Sequence, residues 1–219
     1  TLIGTHFENN LIDEISKSPH PALKVTLPKK LKIEKFEGIK DHSDSDLIVC
    51  AVSSLGVDWF IDQISQMGNK KLNIVLLTKG LSIEAGKLTT ISYKIKNELK
   101  KNGFDDVVLS AIKGPCLAAG LANKMRTGTV IASENKDTAK LIQKTITTEY
   151  YSTEASEDIK GVEFCGAIKN IYSMLIGASE GLSNPSAPES IKSKYFFNTS
   201  ASLIHRSISE MVKFVKYFG

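Results

Sequence analysis

Short apolar runs alternate with helix-forming segments along the first two thirds of the chain. The runs LIVCAV (47–52), NIVLL (73–77) and VVLSAI (107–112) are apolar at almost every position. Such runs are typical of parallel strands that are covered on both faces. Intervening helices are predicted at 57–67, 88–101, 118–124 and 136–146, with a further strand at 129–132. Strands that alternate with helices predict an α/β, Rossmann-like, mainly parallel sheet with right-handed crossovers.

The pattern changes near residue 160. Beyond it we predict two long helices, at 161–178 and 199–218, joined by a surface loop with the sequence SNPSAPES (183–190). We therefore place a domain boundary near Ser156, with a Rossmann-like domain over 1–156 and an incomplete helical domain over 157–219. Near the start of the chain, strands are predicted at 1–4 and 24–27 and a helix at 9–15.

Composition excludes several classes of protein. The net charge is only +4, and the first 46 residues carry eight acids against seven lysines, so no basic stripe for nucleic acid is expected. Three cysteines without CxxC spacing fit a reduced, cytoplasmic protein without a metal site. No apolar run approaches the ~20 residues that span a bilayer, so neither secretion nor membrane insertion is expected.

Candidate ligand-binding residues follow the predicted strands. Ligands of parallel sheets bind beyond the carboxyl ends of the strands, so Ser53, Ser54, Lys79 and the turn KGPC (113–116) should share one rim. The helix that begins at Ala118 would present backbone amides to a phosphate or carboxylate. The alternative for Lys79 is an ordinary solvated lysine. Cys116 near a helix N-terminus also suggests a nucleophilic thiolate, but no histidine is placed to activate it.

Lys169 is the main candidate for acid/base chemistry. The helix at 161–178 is apolar nearly all round and is therefore expected to be central and buried. A lone ammonium in it is costly unless it faces a cleft, a partner or a ligand, and desolvation would lower its pKa towards neutrality. The alternatives are a lysine that snorkels to the surface or pairs with a structural carboxylate. Asn170, a poor residue for a helix interior, is expected to bind backbone or ligand. Arg206 and Glu210 are predicted to form a surface ion pair.

Five segments in a characteristic order carry a family resemblance: AVSS (51–54), TKGL (78–81), GPCLA (114–118), GVEFCGAIKN (161–170) and NTSASLIHRSISEM (198–211). With them the chain resembles the NAD(P)-dependent sn-glycerol-3-phosphate dehydrogenases. The resemblance implies interconversion of sn-glycerol 3-phosphate and dihydroxyacetone phosphate with NAD or NADP, a role in supplying phospholipid synthesis, and a homodimer.

The same resemblance assigns roles to residues. Lys169 matches the proton-transferring lysine, and Lys79 and Asn170 are expected to bind the substrate. Gly114 and Cys116 match positions that line the substrate site, and Ala118 matches a cofactor contact, to which we add Ser53 and Ser54. Two departures concern the wall of the site: Cys116 replaces a small hydroxyl residue, and Gly120 stands where a glutamate is common.

Parts of the family pattern are missing from the chain. Its first strand and GxGxxG loop would precede Thr1, and its GDL and SRN segments would follow Gly219. We therefore expect this polypeptide to bind dinucleotide weakly and to turn over negligibly. Two alternatives stay open, a related hydroxyacid or nucleotide-sugar dehydrogenase and a non-catalytic fragment. The choice between NAD and NADP is also open, because Glu8 could bond a ribose hydroxyl or, as we favour, cap the next helix.

Overall fold

A five-stranded sheet forms the centre of the fold. The computed structural model describes residues 1–68, 71–183 and 196–218, so that the predicted loop at 183–190 lies outside the described residues apart from Ser183. The central strands are β3 (Ile48–Cys50), β4 (Lys71–Leu76), β7 (Asp106–Lys113), β8 (Thr127–Ser133) and β9 (Tyr151–Ser156), in the order β3-β4-β7-β8-β9. Three of the four pairings are parallel, which confirms the prediction of a mainly parallel sheet.

Helices cover both faces of this sheet. Residues of α2 (Val57–Ser65) and α3 (Ile91–Lys101) form the larger apolar core with β3, β4 and β7. The opposite face carries α5 (Lys136–Ile146), whose Ala139 and Ile142 pack against Val75 and Ile131. Burial on both faces explains why the apolar runs of β4 and β7 were continuous and did not alternate, whereas β3 lies at the sheet edge and leaves Val49 51% exposed.

The strand predicted at 129–132 is present, but it interrupts the parallel pattern. Its residues form part of β8, which runs antiparallel to β7, with Lys113 opposite Val130. The connection between the two strands contains only α4 (Ala118–Ala122), which is five residues long and has no buried residue. An antiparallel neighbour needs only a turn at the strand end, whereas a parallel one must first travel back along the sheet. This short connection therefore reverses the chain at the rim.

The sequence analysis also missed an edge strand of the central sheet and a hairpin. β9 was not predicted, and β5 (Leu81–Glu84) pairs with β6 (Lys87–Thr90) in an antiparallel hairpin, where we expected the next helix to begin at residue 88. That helix begins instead at Ile91, after Thr90, whose hydroxyl accepts a hydrogen bond from Tyr93 N at 3.3 Å. The strand predicted at 24–27 is absent, and Lys24 at its start has a left-handed backbone with φ 57°.

The first forty-two residues contain a second sheet, of two strands. β1 (Leu2–Ile3) pairs in parallel with β2 (Ile33–Glu34), α1 spans Asn9–Ile15, and a 3₁₀ helix covers Phe36–His42. Glu8 immediately precedes α1, but its carboxylate accepts the backbone N–H of Thr5 at 2.8 Å and does not cap the helix. Our interpretation of Glu8 as a side-chain cap was therefore wrong.

Two long helices complete the described chain. α6 (Ile159–Leu182) and α7 (Phe196–Phe218) pack together through an edge-to-face contact of Phe164 with Phe214, whose ring centroids are 5.5 Å apart. The first half of α6 lies on the sheet, but Ile171, Met174 and Leu175 in the second half are exposed, so the helix is buried over only part of its length. Within the described ranges, every helix is too short or too polar to cross a bilayer. The ion pair of Arg206 with Glu210 is present at 2.9 Å on the exposed face of α7.

Candidate active site

The carboxyl ends of β3 and β4 form the first part of the rim. Ser53 and Ser54 follow β3, where Ser54 begins a single 3₁₀ turn, and both residues are exposed. Lys79 follows β4 and is exposed as well. Between Lys79 and the hairpin, Gly80 has φ +132°, and a Cβ there would lie 3.3 Å from the Ser54 Cβ. The glycine therefore lets the turn after β4 approach the turn after β3.

Lys169 reaches this rim from α6. Its Nζ donates a hydrogen bond to the carbonyl oxygen of Gly114 at 2.5 Å, just beyond the end of β7. Partial burial lowers the pKa of Lys169, and the positive charge of Lys79 lowers it further. The ammonium is thus held by one backbone oxygen, without a carboxylate in the hydrogen bond, and this geometry suits a group that exchanges its proton.

Gly114 is required where α6, β7 and β8 meet. A Cβ at this position would lie 2.7 Å from the Gly128 carbonyl oxygen and 2.7 Å from Thr129 Cγ2, both on β8. Only glycine leaves its carbonyl oxygen in position to accept from Lys169. A pocket of about 160 Å³ opens beside this contact. Its lining comprises Lys113, Gly114, Val130, Val162, Cys165, Gly166, Lys169 and Met211.

Lys113 was not singled out as a site residue by the sequence, although it belonged to the predicted KGPC turn. Only 6% of it is exposed, and its Nζ donates to the carbonyl oxygens of Thr78 and, at 3.3 Å, of Leu76. Burial lowers the pKa of Lys113, and the nearby charge of Glu163 opposes that shift. A usable signal was the two-residue period of β7, which places Lys113 on the same face as the buried Ala111.

Glu163 was also missed. This α6 residue is 1% exposed, and its Oε1 accepts the backbone N–H of Ser92 at 3.3 Å. The other oxygen, Oε2, has no hydrogen-bond partner among the described residues. Burial raises the pKa of Glu163, against the lowering effects of the Ser92 hydrogen bond and the Lys113 charge. Six residues separate it from Lys169, which is about 120° around the helix, so local spacing gave no signal for this residue.

The site is electropositive. The charge of Lys79 lowers the pKa of both Lys113 and Lys169, so the lysine that follows β4 lies near the ammonium groups from β7 and α6. Cys116 lies in the adjoining turn as a free, partly exposed cysteine close enough to influence the pKa of Lys169. Such a cluster favours a small, multiply charged anion, because each ammonium is stabilised when the others are neutralised.

The remaining predicted residues lie around this centre. Ala118 begins α4 and is exposed, and Asn170 is exposed on α6, next to Lys169 in the chain. Leu55, which follows Ser54, is 94% exposed, and Leu117, which precedes Ala118, is 74% exposed. Over the part of the chain that the structure describes, no group of three or more His, Cys, Asp and Glu residues could hold a metal ion.

Two family models together match nearly the whole chain. The model of the NAD-dependent glycerol-3-phosphate dehydrogenase N-terminus matches residues 5–139, and that of the corresponding C-terminus matches residues 158–219.

Named relatives agree with the family models. The chain is 27% identical over 197 residues to glycerol-3-phosphate dehydrogenase [NAD(P)+] of Polynucleobacter asymbioticus, covering 89% of this chain and 54% of the relative. It is 28% identical over 227 residues to an NADP(+)-dependent glycerol-3-phosphate dehydrogenase of Archaeoglobus fulgidus, covering 99% and 62%. The chain therefore spans between half and two thirds of these relatives.

Solved structures share the fold. The crystal structure of glycerol-3-phosphate dehydrogenase from Coxiella burnetii superposes with a TM-score of 0.72 at 24% identity, covering 99% of this chain and 62% of the other.

Proposed function

Because this chain belongs to the NAD-dependent glycerol-3-phosphate dehydrogenase family, we propose that the whole protein interconverts sn-glycerol 3-phosphate and dihydroxyacetone phosphate with NAD or NADP. The observation that carries the proposal is Lys169, a lysine of lowered pKa held against the Gly114 carbonyl beside the cationic Lys79. A phosphorylated hydroxy compound needs both features, a cationic phosphate site and a group that moves one proton.

Lys169 and Lys79 have separate tasks in this mechanism. Lys79 is exposed at the rim and binds the substrate phosphate. In the reducing direction, the Lys169 ammonium gives its proton to the carbonyl oxygen of dihydroxyacetone phosphate, which becomes the hydroxyl oxygen of glycerol 3-phosphate. In the oxidising direction, the neutral amine removes that proton. The bound nicotinamide supplies or accepts the hydride. Asn170, Gly114 and Cys116 complete the substrate wall in this proposal.

Residues on the β3 and α4 side of the rim fit a dinucleotide. Ser53 and Ser54 present hydroxyls beyond β3, and Ala118 is the first residue of a helix. The nearly complete exposure of Leu55 is unfavourable in water, and so is that of Leu117. Flat rings laid across this part of the rim would bury both side chains, which supports assigning Ser53, Ser54 and Ala118 to the cofactor.

The wider setting belongs to the same proposal. Residues 1–156 would form the dinucleotide-binding domain and 157–219 part of a helical domain for the substrate and the dimer contact. A homodimer is supported by the exposed apolar side chains of α6, which a second copy could cover. We further propose a cytoplasmic enzyme that supplies glycerol 3-phosphate for phospholipid synthesis.

The test is NADH or NADPH oxidation by the whole protein, followed by absorbance, with dihydroxyacetone phosphate, a 2-ketoacid panel and, in the oxidising direction, nucleotide sugars. We expect turnover with dihydroxyacetone phosphate and a loss on the order of 10²–10⁴-fold in kcat for Lys169→Met. Lys160→Met is the matched control, because Lys160 is an exposed lysine in the first turn of the same helix.

Three results would count against the proposal. Turnover of another substrate class alone would favour the hydroxyacid or nucleotide-sugar alternative. Absence of both turnover and dinucleotide binding would favour the non-catalytic one. Full activity of Lys169→Met would remove Lys169 from the chemistry.

A further inference from the structure

One buried charge near the site has no part in the proton transfer. Lys113 ends β7, and its stem passes under α6, where a Cβ at Gly166 would lie 3.0 Å from both its Cγ and its Cδ. Burial of an ammonium is costly, so a lysine is kept there only if its contacts compensate. Its hydrogen-bonding contacts are two carbonyl oxygens at the end of the neighbouring strand, those of Leu76 and Thr78.

Thr78 is held from two sides. Its hydroxyl donates to the carbonyl oxygen of Val52 at 2.7 Å, beyond the end of β3, and its own carbonyl accepts from Lys113. Thr78 is 4% exposed, while the next residue, Lys79, is exposed at the rim. The backbone that carries Lys79 is therefore fixed immediately before it by bonds to β3 and β7.

We propose that Lys113 is a positioning residue of the site, which holds the turn after β4 through the Thr78 carbonyl and so places Lys79 to bind the substrate phosphate. This inference rests on the proposed function for the identity of the anion. The anchoring itself is a property of the chain and can be measured without substrate.

Glu163 gives Lys113 a second, purely electrostatic role that has to be separated from the first. Glu163 and Gly166 are three residues apart and so are neighbours on the surface of α6, and Gly166 contacts Lys113. The Glu163 charge stabilises the Lys113 ammonium, and Cys50 and Lys79 are the other titratable groups that influence it. Removing Lys113 alone therefore leaves a buried carboxylate without its cation, whereas removing both charges does not.

The experiment uses the whole protein with the variants Lys113→Met, Glu163→Gln, Lys79→Met and the double variants of Lys113→Met with each of the others. KM and kcat for dihydroxyacetone phosphate, the thermal midpoint and amide exchange of a peptide covering 77–81 are measured. We expect Lys113→Met to raise KM by about tenfold with a much smaller change in kcat, as for loss of uniform binding. Amide exchange at 78–80 should accelerate, and Lys160→Met should leave all four readouts unchanged.

The double variants decide between the two roles. If Lys113 positions Lys79, the double variant of Lys113→Met with Glu163→Gln should regain thermal stability but keep the raised KM. In a protein that already carries Lys79→Met, adding Lys113→Met should not raise KM further. The double variant with Glu163→Gln also serves if Lys113→Met alone does not fold. The proposal would be overturned if the double variant with Glu163→Gln recovered the parent KM as well as its stability. It would also be overturned if Lys113→Met raised KM as much in the Lys79→Met background as in the parent.

Failure of the proposed function would look different. A parent protein that does not turn over dihydroxyacetone phosphate, yet whose 78–80 amides exchange faster in Lys113→Met, would contradict the substrate assignment and support the anchoring. Unchanged exchange at 78–80 in both Lys113→Met and its Glu163→Gln double variant would contradict the anchoring, whatever the activity.

Discussion

Alanine in place of Gly114 forces a new methyl group into the junction of β7 and β8. Its Cβ would lie 2.7 Å from the Gly128 carbonyl oxygen, 2.7 Å from Thr129 Cγ2 and 2.8 Å from Thr129 Cα. Backbone atoms of a paired strand cannot move aside singly, so the cost falls near the upper end of the overpacking range, about 3 kcal/mol. The reduced entropy of the unfolded chain offsets up to about 1 kcal/mol, which leaves a net loss of about 2 kcal/mol.

For a chain of this size, the net loss corresponds to a fall of roughly 4–8 °C in the unfolding midpoint. Gly177→Ala is the matched control. Gly177 lies in α6, and outside the helix's own backbone no atom of the described residues is within 4 Å of the added Cβ, so the change should stabilise the helix by about 0.5–1 kcal/mol. Both variants are measured by urea and thermal unfolding with circular dichroism. A Gly114→Ala protein as stable as its parent would show that β8 yields easily, and the steric reasoning would be refuted.

Three further predictions concern charge and capping. Burial raises the pKa of Glu163, so the contribution of this carboxyl group to stability is complete below its ordinary pKa of 4.5 and is lost as pH rises through the folded value. In urea titrations across pH 4.5–8, the free energy of unfolding of Glu163→Gln should therefore rise relative to that of the parent as pH rises. A difference between the two proteins that does not change with pH would contradict this. The Lys79 charge lowers the pKa of Lys169, so Lys79→Met should shift the alkaline decline of kcat for dihydroxyacetone phosphate reduction to higher pH. A decline at the same or a lower pH would count against this prediction. Asn135 accepts two backbone N–H groups at the start of α5, so Asn135→Ala should cost about 1 kcal/mol in unfolding experiments while Asn135→Ser costs little, and equal losses would contradict capping.

The sequence predicted the central strands that contain continuous apolar runs and missed strands that lack such a run. β4 and β7 consist largely of apolar residues, which few other structures tolerate in such runs. β9 reads YSTEAS and lies at the sheet edge, with only Thr153 buried, so that it carries no apolar signal. The hairpin of β5 and β6 turns at Ala85 and Gly86, which both have positive φ. Asparagine, aspartate or glycine is typical at the first of these positions, so the alanine gave no sequence signal for the turn.

The sequence likewise predicted some residues of the candidate site and missed others. Lys169 stood out because it is a single ammonium in an apolar helix, and the structure holds it at the rim. Lys113 looked like one more lysine after a strand, since its burial depends on α6, which lies fifty residues further along the chain. Glu163 becomes informative only when its buried oxygen without a partner is seen. Local patterns cannot carry such information, because it arises from tertiary contact.

The reversal between β7 and β8 has a consequence for how this protein can diversify. The connection at 114–126 joins two neighbouring antiparallel strands at the same end of the sheet, where Lys113 is paired opposite Val130. Its length can therefore change without shifting the register of either strand, and the entropy of closing a loop grows only slowly with length. Insertions and deletions should accumulate here among homologues, remodelling one wall of the cleft while the lysines beneath it stay in place.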